Sequence, residues 1–135
     1  MADIKRREML QALAAVPATA LAFTWTREEA VQAAEGVREA QGQAAAAGRP
    51  YAPRFFNTRE YATVVALSDL IIPKDNRSGS ASDAGAPEFI DYIVAEQPAR
   101  QTAMRGGLNW LDSECRRRFD KAFLDCADTE RRAGL

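Results

Sequence analysis

The stretch Met104-Arg105-Gly106-Gly107-Leu108-Asn109-Trp110-Leu111-Asp112-Ser113-Glu114-Cys115-Arg116-Arg117-Arg118-Phe119 decides the fold class. Its apolar residues Met104, Leu108, Leu111, Cys115 and Phe119 step by 4, 3, 4 and 4. That spacing lays one stripe along a helix and fits no strand, whose faces alternate every second residue. Trp110 falls beside the stripe, and Arg116, Arg117 and Arg118 fall mostly on the outer face. Gly106 and Gly107 each cost a helix roughly 1 kcal/mol relative to alanine. Such glycines commonly mark close backbone packing, a kink or a helix start.

Working outward, Pro98 ends one element or opens the next, and Pro87 sits well as the first residue of a helix. Between them Phe89, Ile90, Ile93 and Val94 form a buried stripe. Upstream, Asn57 and Glu60 have the spacing of a capping box, with Asn57 standing in for Ser or Thr. Tyr61, Val64, Val65, Leu67, Leu70 and Ile71 then make a broad apolar face, which Pro73 stops. Lys74 to Ala86 is a polar loop rich in Gly and Ser, near the length at which loops are functional or disordered. Thr26 and Glu29 form a second capping-box pattern before an Ala-, Glu- and Gln-rich run that closes at Gly48 and Pro50. With only Val31 and Val37 as large apolar residues, residues 23–50 read equally as a loosely held helix or as a linker. Asp128-Thr129-Glu130 looks like a helix start six to seven residues before the end, the pattern of a chain cut short.

The expected fold is therefore all-α. It is a small irregular helical domain of about four to five helices with a long polar loop, preceded by a signal or linker helix. Residues 1–22 read as a signal segment, 23–50 as an Ala-rich helix or linker, and 51–135 as a helical partner-binding domain. The chain has 135 residues, long enough for one domain.

Composition narrows the chemistry. The sequence contains no histidine, which removes the commonest general base and metal ligand. Two cysteines are too few for a four-ligand structural zinc site. The 18 basic and 19 acidic residues leave a net charge of -1, unlike a basic nucleic-acid-binding domain. The pairs Glu28/Glu29, Asp112/Glu114 and Asp125/Asp128 are neighbours in sequence and read as solvated faces, not converging acid and base. Ser78-Gly79-Ser80 lacks the Gly-Lys-Ser/Thr that completes a phosphate loop. Of the hydrophobic residues, 27 are alanine, so the large side chains available for a core are few.

The N-terminus reads as an address. Lys5-Arg6-Arg7-Glu8-Met9-Leu10 precedes a mostly apolar run ending at Phe23. The run is shorter than the roughly 20 residues a membrane-spanning helix needs. Arg6 and Arg7 followed by Met9-Leu10 resemble a twin-arginine export signal, with Met9 in place of the usual Phe, and Ala20-Leu21-Ala22 fits a cleavage site. The other reading is an amphipathic helix with an incidental arginine pair. The twin-arginine route carries folded cargo, often with a cofactor already inserted, so such a signal on a cofactor-free chain points to a cofactor-loaded partner.

Cys115 and Cys126 are 11 residues apart. A straight helix would hold them roughly 16 Å apart, so an intrachain disulfide needs a bend, for which Asp120-Lys121 is the place. An intersubunit disulfide and a pair of buried thiols are the other readings. Asp75 and Asp91 read as caps of helix ends or loops.

Four fragments in order resemble one family. They are Phe55-Phe56-Asn57-Thr58 with Glu60, Leu70-Ile71-Ile72-Pro73 with Asp75, Gly85-Ala86-Pro87-Glu88-Phe89-Ile90-Asp91, and Gly106-Gly107-Leu108-Asn109-Trp110-Leu111-Asp112. With the leader, they look like the gluconate 2-dehydrogenase subunit 3 family, the small subunits of FAD-dependent sugar and sugar-acid dehydrogenases; members usually continue past the point matching Leu135. The resemblance implies a non-catalytic chain with no cofactor of its own. Its expected partner is a large flavoprotein of the glucose–methanol–choline type, which holds the FAD and which the chain helps fold and escorts by twin-arginine export to the periplasm. A cytochrome c subunit is a further expected partner, nucleic acid is not, and membrane association comes only through the complex. The expected partner contacts are Phe55, Phe56, Ile72, Pro73 and Trp110, each with core packing as the alternative. The competing class is an independent exported helical binding module without an enzyme partner.

Overall fold

A computed structural model describes residues 26–135. Among them are five α-helices and no strand: α1 (Arg27–Ala46), α2 (Thr58–Ile71), α3 (Ala86–Glu96), α4 (Pro98–Phe119) and α5 (Asp128–Gly134), with a 3-10 turn at Phe123–Asp125. The all-α expectation holds. The chain divides into two compact units, residues 1–30 and 31–135. In the first, the described Thr26–Ala30 segment carries the expected capping box. Glu29 N donates to Thr26 Oγ1 at 3.2 Å, and Thr26 N donates to Glu29 Oε2 at 2.8 Å.

The second unit is built around α4. The stripe that identified this helix serves two clusters along its length. Leu108 joins Phe56, Val64 and Val94, with Met104, Phe55, Tyr61, Leu67 and Ile90 packed against them. One turn further on, Leu111 and Cys115 join Phe123 and Cys126, with Phe119, Ala66, Leu67 and Leu124 around them. Leu67 on α2 touches both clusters and makes the core continuous.

The helix starts fall where the sequence places them. Asn57 and Glu60 form the reciprocal capping box of α2, at 2.8 and 3.0 Å. Pro87 stands in the first turn of α3 and Pro98 in that of α4, where a missing N–H costs nothing. Gly85 precedes α3 at φ 78, a left-handed conformation that an L side chain resists. Gly106 and Gly107 mark neither a helix start nor a close backbone approach. The helix runs through both, and a Cβ added at either would meet open space.

Residues 27–46 are helix, not linker. Within the second unit α1 buries Ala33 and Val37. Gly36 lets the Tyr92 ring of α3 lie directly on the α1 backbone, and a methyl group there would overlap the ring.

The polar 74–86 segment is tied down at several points. Ala81 N donates to Ile72 O at 3.0 Å, and Asp75 Oδ1 accepts from Arg77 N and Ser78 N, both at 2.7 Å. Asp69 on α2 accepts from the backbone and the hydroxyl of Ser82 at 2.8 and 2.7 Å. Burial pushes the Asp69 carboxyl up, and the hydrogen bonds from Ser82 and Ser80 outweigh it, holding the group below its ordinary range. Asp75 is thus a loop cap, as expected.

Candidate partner-binding surface

The five residues expected at a partner contact separate by depth. Phe56 is 4% exposed and belongs to the core. Of the two readings for this residue, partner contact and core packing, the structure shows the second. Phe55 is half-buried, edge-on to Phe56 with ring centroids 5.0 Å apart, and the Arg105 guanidinium stacks 4.3 Å from its ring centre. Arg105 also donates to Phe55 O and Glu60 Oε1, each at 3.2 Å, so Phe55 is clamped between α4 and the start of α2. Ile72 and Pro73 are exposed, and Trp110 keeps 60% of its surface in water on the outer side of α4. Ile71 is 70% exposed, although its spacing assigns it to the apolar face of α2. The helix ends at Ile71, and the chain then departs through Ile72 and Pro73. The surface residues are thus Ile71, Ile72, Pro73 and Trp110. Arg6, Arg7, Met9 and Leu10 lie outside the described residues.

The scaffold beneath Phe55 and Phe56 is held by one carboxylate. Asp91 is 0% exposed and lies inside α3, so of the two expected roles, helix-end cap and loop cap, it fills the second. Its Oδ2 accepts from Arg54 N at 2.7 Å and from the Tyr51 hydroxyl at 2.9 Å. Its Oδ1 accepts from Phe55 N at 3.1 Å and Phe56 N at 3.0 Å. The entry segment 51–56 has no helix or sheet to satisfy its N–H groups, and Asp91 supplies the acceptors. Arg54 turns outward to Glu96 at 2.8 Å.

Two phenols share this environment. Burial pushes Tyr51 well above the usual phenol range, and its hydrogen bond to Asp91 adds to the shift. Burial raises Tyr61 similarly, with the neighbouring Glu88 adding to it. A phenol raised in the folded state contributes its stability fully below its unfolded value of about 10 and loses it as pH rises toward the folded value. Stability is therefore expected to fall as pH rises above about 10. Phenolate absorbance and loss of helical circular dichroism should appear together. Ionisation of all the tyrosines near pH 10 with helicity intact would contradict this.

At the other end of α4, Asp112 Oδ1 accepts from Phe123 N at 2.9 Å, while Oδ2 pairs with Arg59 and Arg116 at 3.3 Å. Burial raises this carboxyl, and these partners prevail and hold it below its ordinary range. Arg131 of α5 donates to Phe123 O at 3.0 Å and Leu124 O at 2.6 Å. The three consecutive arginines are exposed but occupied: Arg116 pairs with Asp112, and Arg117 and Arg118 with Glu114. Cys115 and Cys126 are both buried free thiols in one cluster.

An open cleft beside the end of α1 is lined by Gln43, Arg49, Tyr51 and Arg54 among others. It brings no pair of carboxylates together. Among the described residues no group of three or more His, Cys, Asp or Glu side chains could hold a metal ion. No described helix is long and apolar enough to cross a membrane.

The family model described as gluconate 2-dehydrogenase subunit 3 matches residues 58–135, from the start of α2 to the last residue. No curated protein and no solved structure gives a significant match to the chain.

Proposed function

The chain belongs to the gluconate 2-dehydrogenase subunit 3 family, and on that premise we propose that it is the non-catalytic subunit that binds, helps fold and escorts an FAD-dependent sugar or sugar-acid dehydrogenase. In this reading the flavin and the reacting groups belong to a large flavoprotein of the glucose–methanol–choline type. A cytochrome c subunit accepts the electrons. The complex leaves by the twin-arginine route, through Arg6 and Arg7 with Met9 and Leu10, and works in the periplasm. Any membrane association comes through the complex.

The observation that carries the binding role is the exposure of Ile71, Ile72 and Trp110 on a domain with a thin core. Single exposed apolar side chains are ordinary on soluble proteins. A tryptophan on the outside of the central helix and an isoleucine pair at a helix end are more costly features, and a partner surface relieves their hydration. The sequence also offers no histidine for oxidoreductase chemistry of its own.

The escort role is tested by deleting the gene in the native host and following the flavoprotein. The expected result is flavoprotein stranded in the cytoplasm or degraded, with export restored by the wild-type chain and not by a chain carrying Arg6→Lys and Arg7→Lys. Normal export of an active flavoprotein without the chain overturns the reading.

A further inference from the structure

The fold solves the distance problem between the two cysteines. Helix α4 stops at Phe119, and Asp120 takes the left-handed conformation at φ 55, with its N–H donating to Arg116 O. Ala122 is extended, and the 3-10 turn Phe123–Asp125 carries Cys126 back onto α4. Cys115 is 0% exposed and Cys126 4%, and both pack with Leu111 and Phe123. Burial pushes the Cys115 thiol up, and the neighbouring Cys126 thiol adds to the effect. On the far side is α5, where a Cβ placed on Gly134 would stand 3.5 Å from Cys115 Sγ. The two thiols thus lie together beneath the C-terminal lobe.

Non-covalent ties hold that lobe down. Arg131 reaches the Phe123 and Leu124 carbonyls, Arg118 reaches Ala133 O at 2.6 Å, and Lys121 pairs with Glu130 at 3.0 Å. All are hydrogen bonds or ion pairs at or near the surface, each worth little alone. A covalent link between residues 115 and 126 would close a short loop around the bend and fix the 3-10 turn on α4.

We propose that Cys115 and Cys126 are a disulfide pair, a redox-closed staple that locks the C-terminal lobe onto α4. Closure proceeds by thiol–disulfide exchange. One cysteine thiolate attacks an external disulfide, and the second displaces the resulting mixed disulfide. Two cysteine protons and two electrons leave this chain, one S–S bond forms in it, and the external disulfide is released as two thiols. Both sulfurs are covered, so exchange takes place during folding or when α5 lifts. Where the chain meets its oxidant rests on the export reading; the pairing itself does not, and its test uses no partner.

The purified full chain is unfolded, refolded in oxidised glutathione and digested with trypsin without reduction. The expected product joins residues 106–116 to residues 122–131, and intact mass falls by about 2 Da. Reduction is expected to lower Tm by about 10 °C. Cys126→Ala should abolish both the linked peptide and the response of Tm to reduction. Recovery of both cysteines as alkylatable thiols, of glutathione adducts alone, or of disulfide-linked dimers in place of the internal link overturns the proposal.

Discussion

Replacing Asp91 by alanine is expected to destabilise the domain by about 4 kcal/mol, because three backbone N–H groups and a phenol lose their acceptor together. Each buried donor left unpaired costs on the order of 1–3 kcal/mol. Arg54 N and Tyr51 keep some access to water, so the total lies below the sum of four full penalties. For a domain of this size the loss corresponds to a Tm lower by more than about 15 °C. Asp91→Asn keeps one oxygen acceptor and the side-chain volume, and should lose about half as much. Urea unfolding followed by circular dichroism separates the two. An Asp91→Ala protein as stable as the wild type would mean that the 51–56 segment finds other acceptors, and that this carboxylate does not organise the entry to the domain.

Trp110→Ala is expected to weaken the proposed complex with a flavoprotein by about 30-fold or more, near 2 kcal/mol, while leaving the Tm of the isolated chain within a few degrees. The side chain is mostly in water, and alanine favours the helix it would join. Loss of affinity without loss of stability separates a contact residue from a core residue. Ile72→Asp, placed at the exposed end of α2, should also weaken binding, since a carboxylate buried against an apolar partner surface pays its desolvation. If both variants bind as the wild type does, this exposed apolar set is not the docking surface.

Helix starts and the central stripe were legible because their signals are local. Asn57 with Glu60, Pro87, Pro98 and the 104–119 stripe each announce themselves within a few residues. The place of the bend at Asp120 was legible only as a condition of one reading, an intrachain disulfide, and not as a feature the sequence required. Asp91 was readable as a cap, but the segment it caps was not, because its partners are backbone N–H groups 35–37 residues away and a backbone donor leaves no trace in sequence. Its one signal was a carboxylate embedded between Ile90 and Ile93 of a short apolar helix. Ile71 was misplaced for a related reason: periodicity names the face a residue belongs to, but not where neighbouring helices stop covering it. The 74–86 loop, rich in glycine and serine, read as functional or disordered from its length. Its order comes from carboxylates of Asp69, Asp75 and Asp83 meeting the loop's own N–H groups. Phe56 next to Phe55 shows the limit of reading surface from sequence, since tertiary packing buries the first fully and the second by half.

The central claim is that this chain is the partner-binding subunit of a flavoprotein dehydrogenase. Its most direct test is affinity purification of the tagged chain from the periplasmic fraction of the native host, followed by a visible absorbance scan of the eluate. The account predicts a yellow complex with flavin absorbance, in which this chain accompanies a much larger protein that oxidises a sugar or sugar acid. A colourless eluate containing this chain alone, from cells that make an active flavoprotein dehydrogenase, would contradict it.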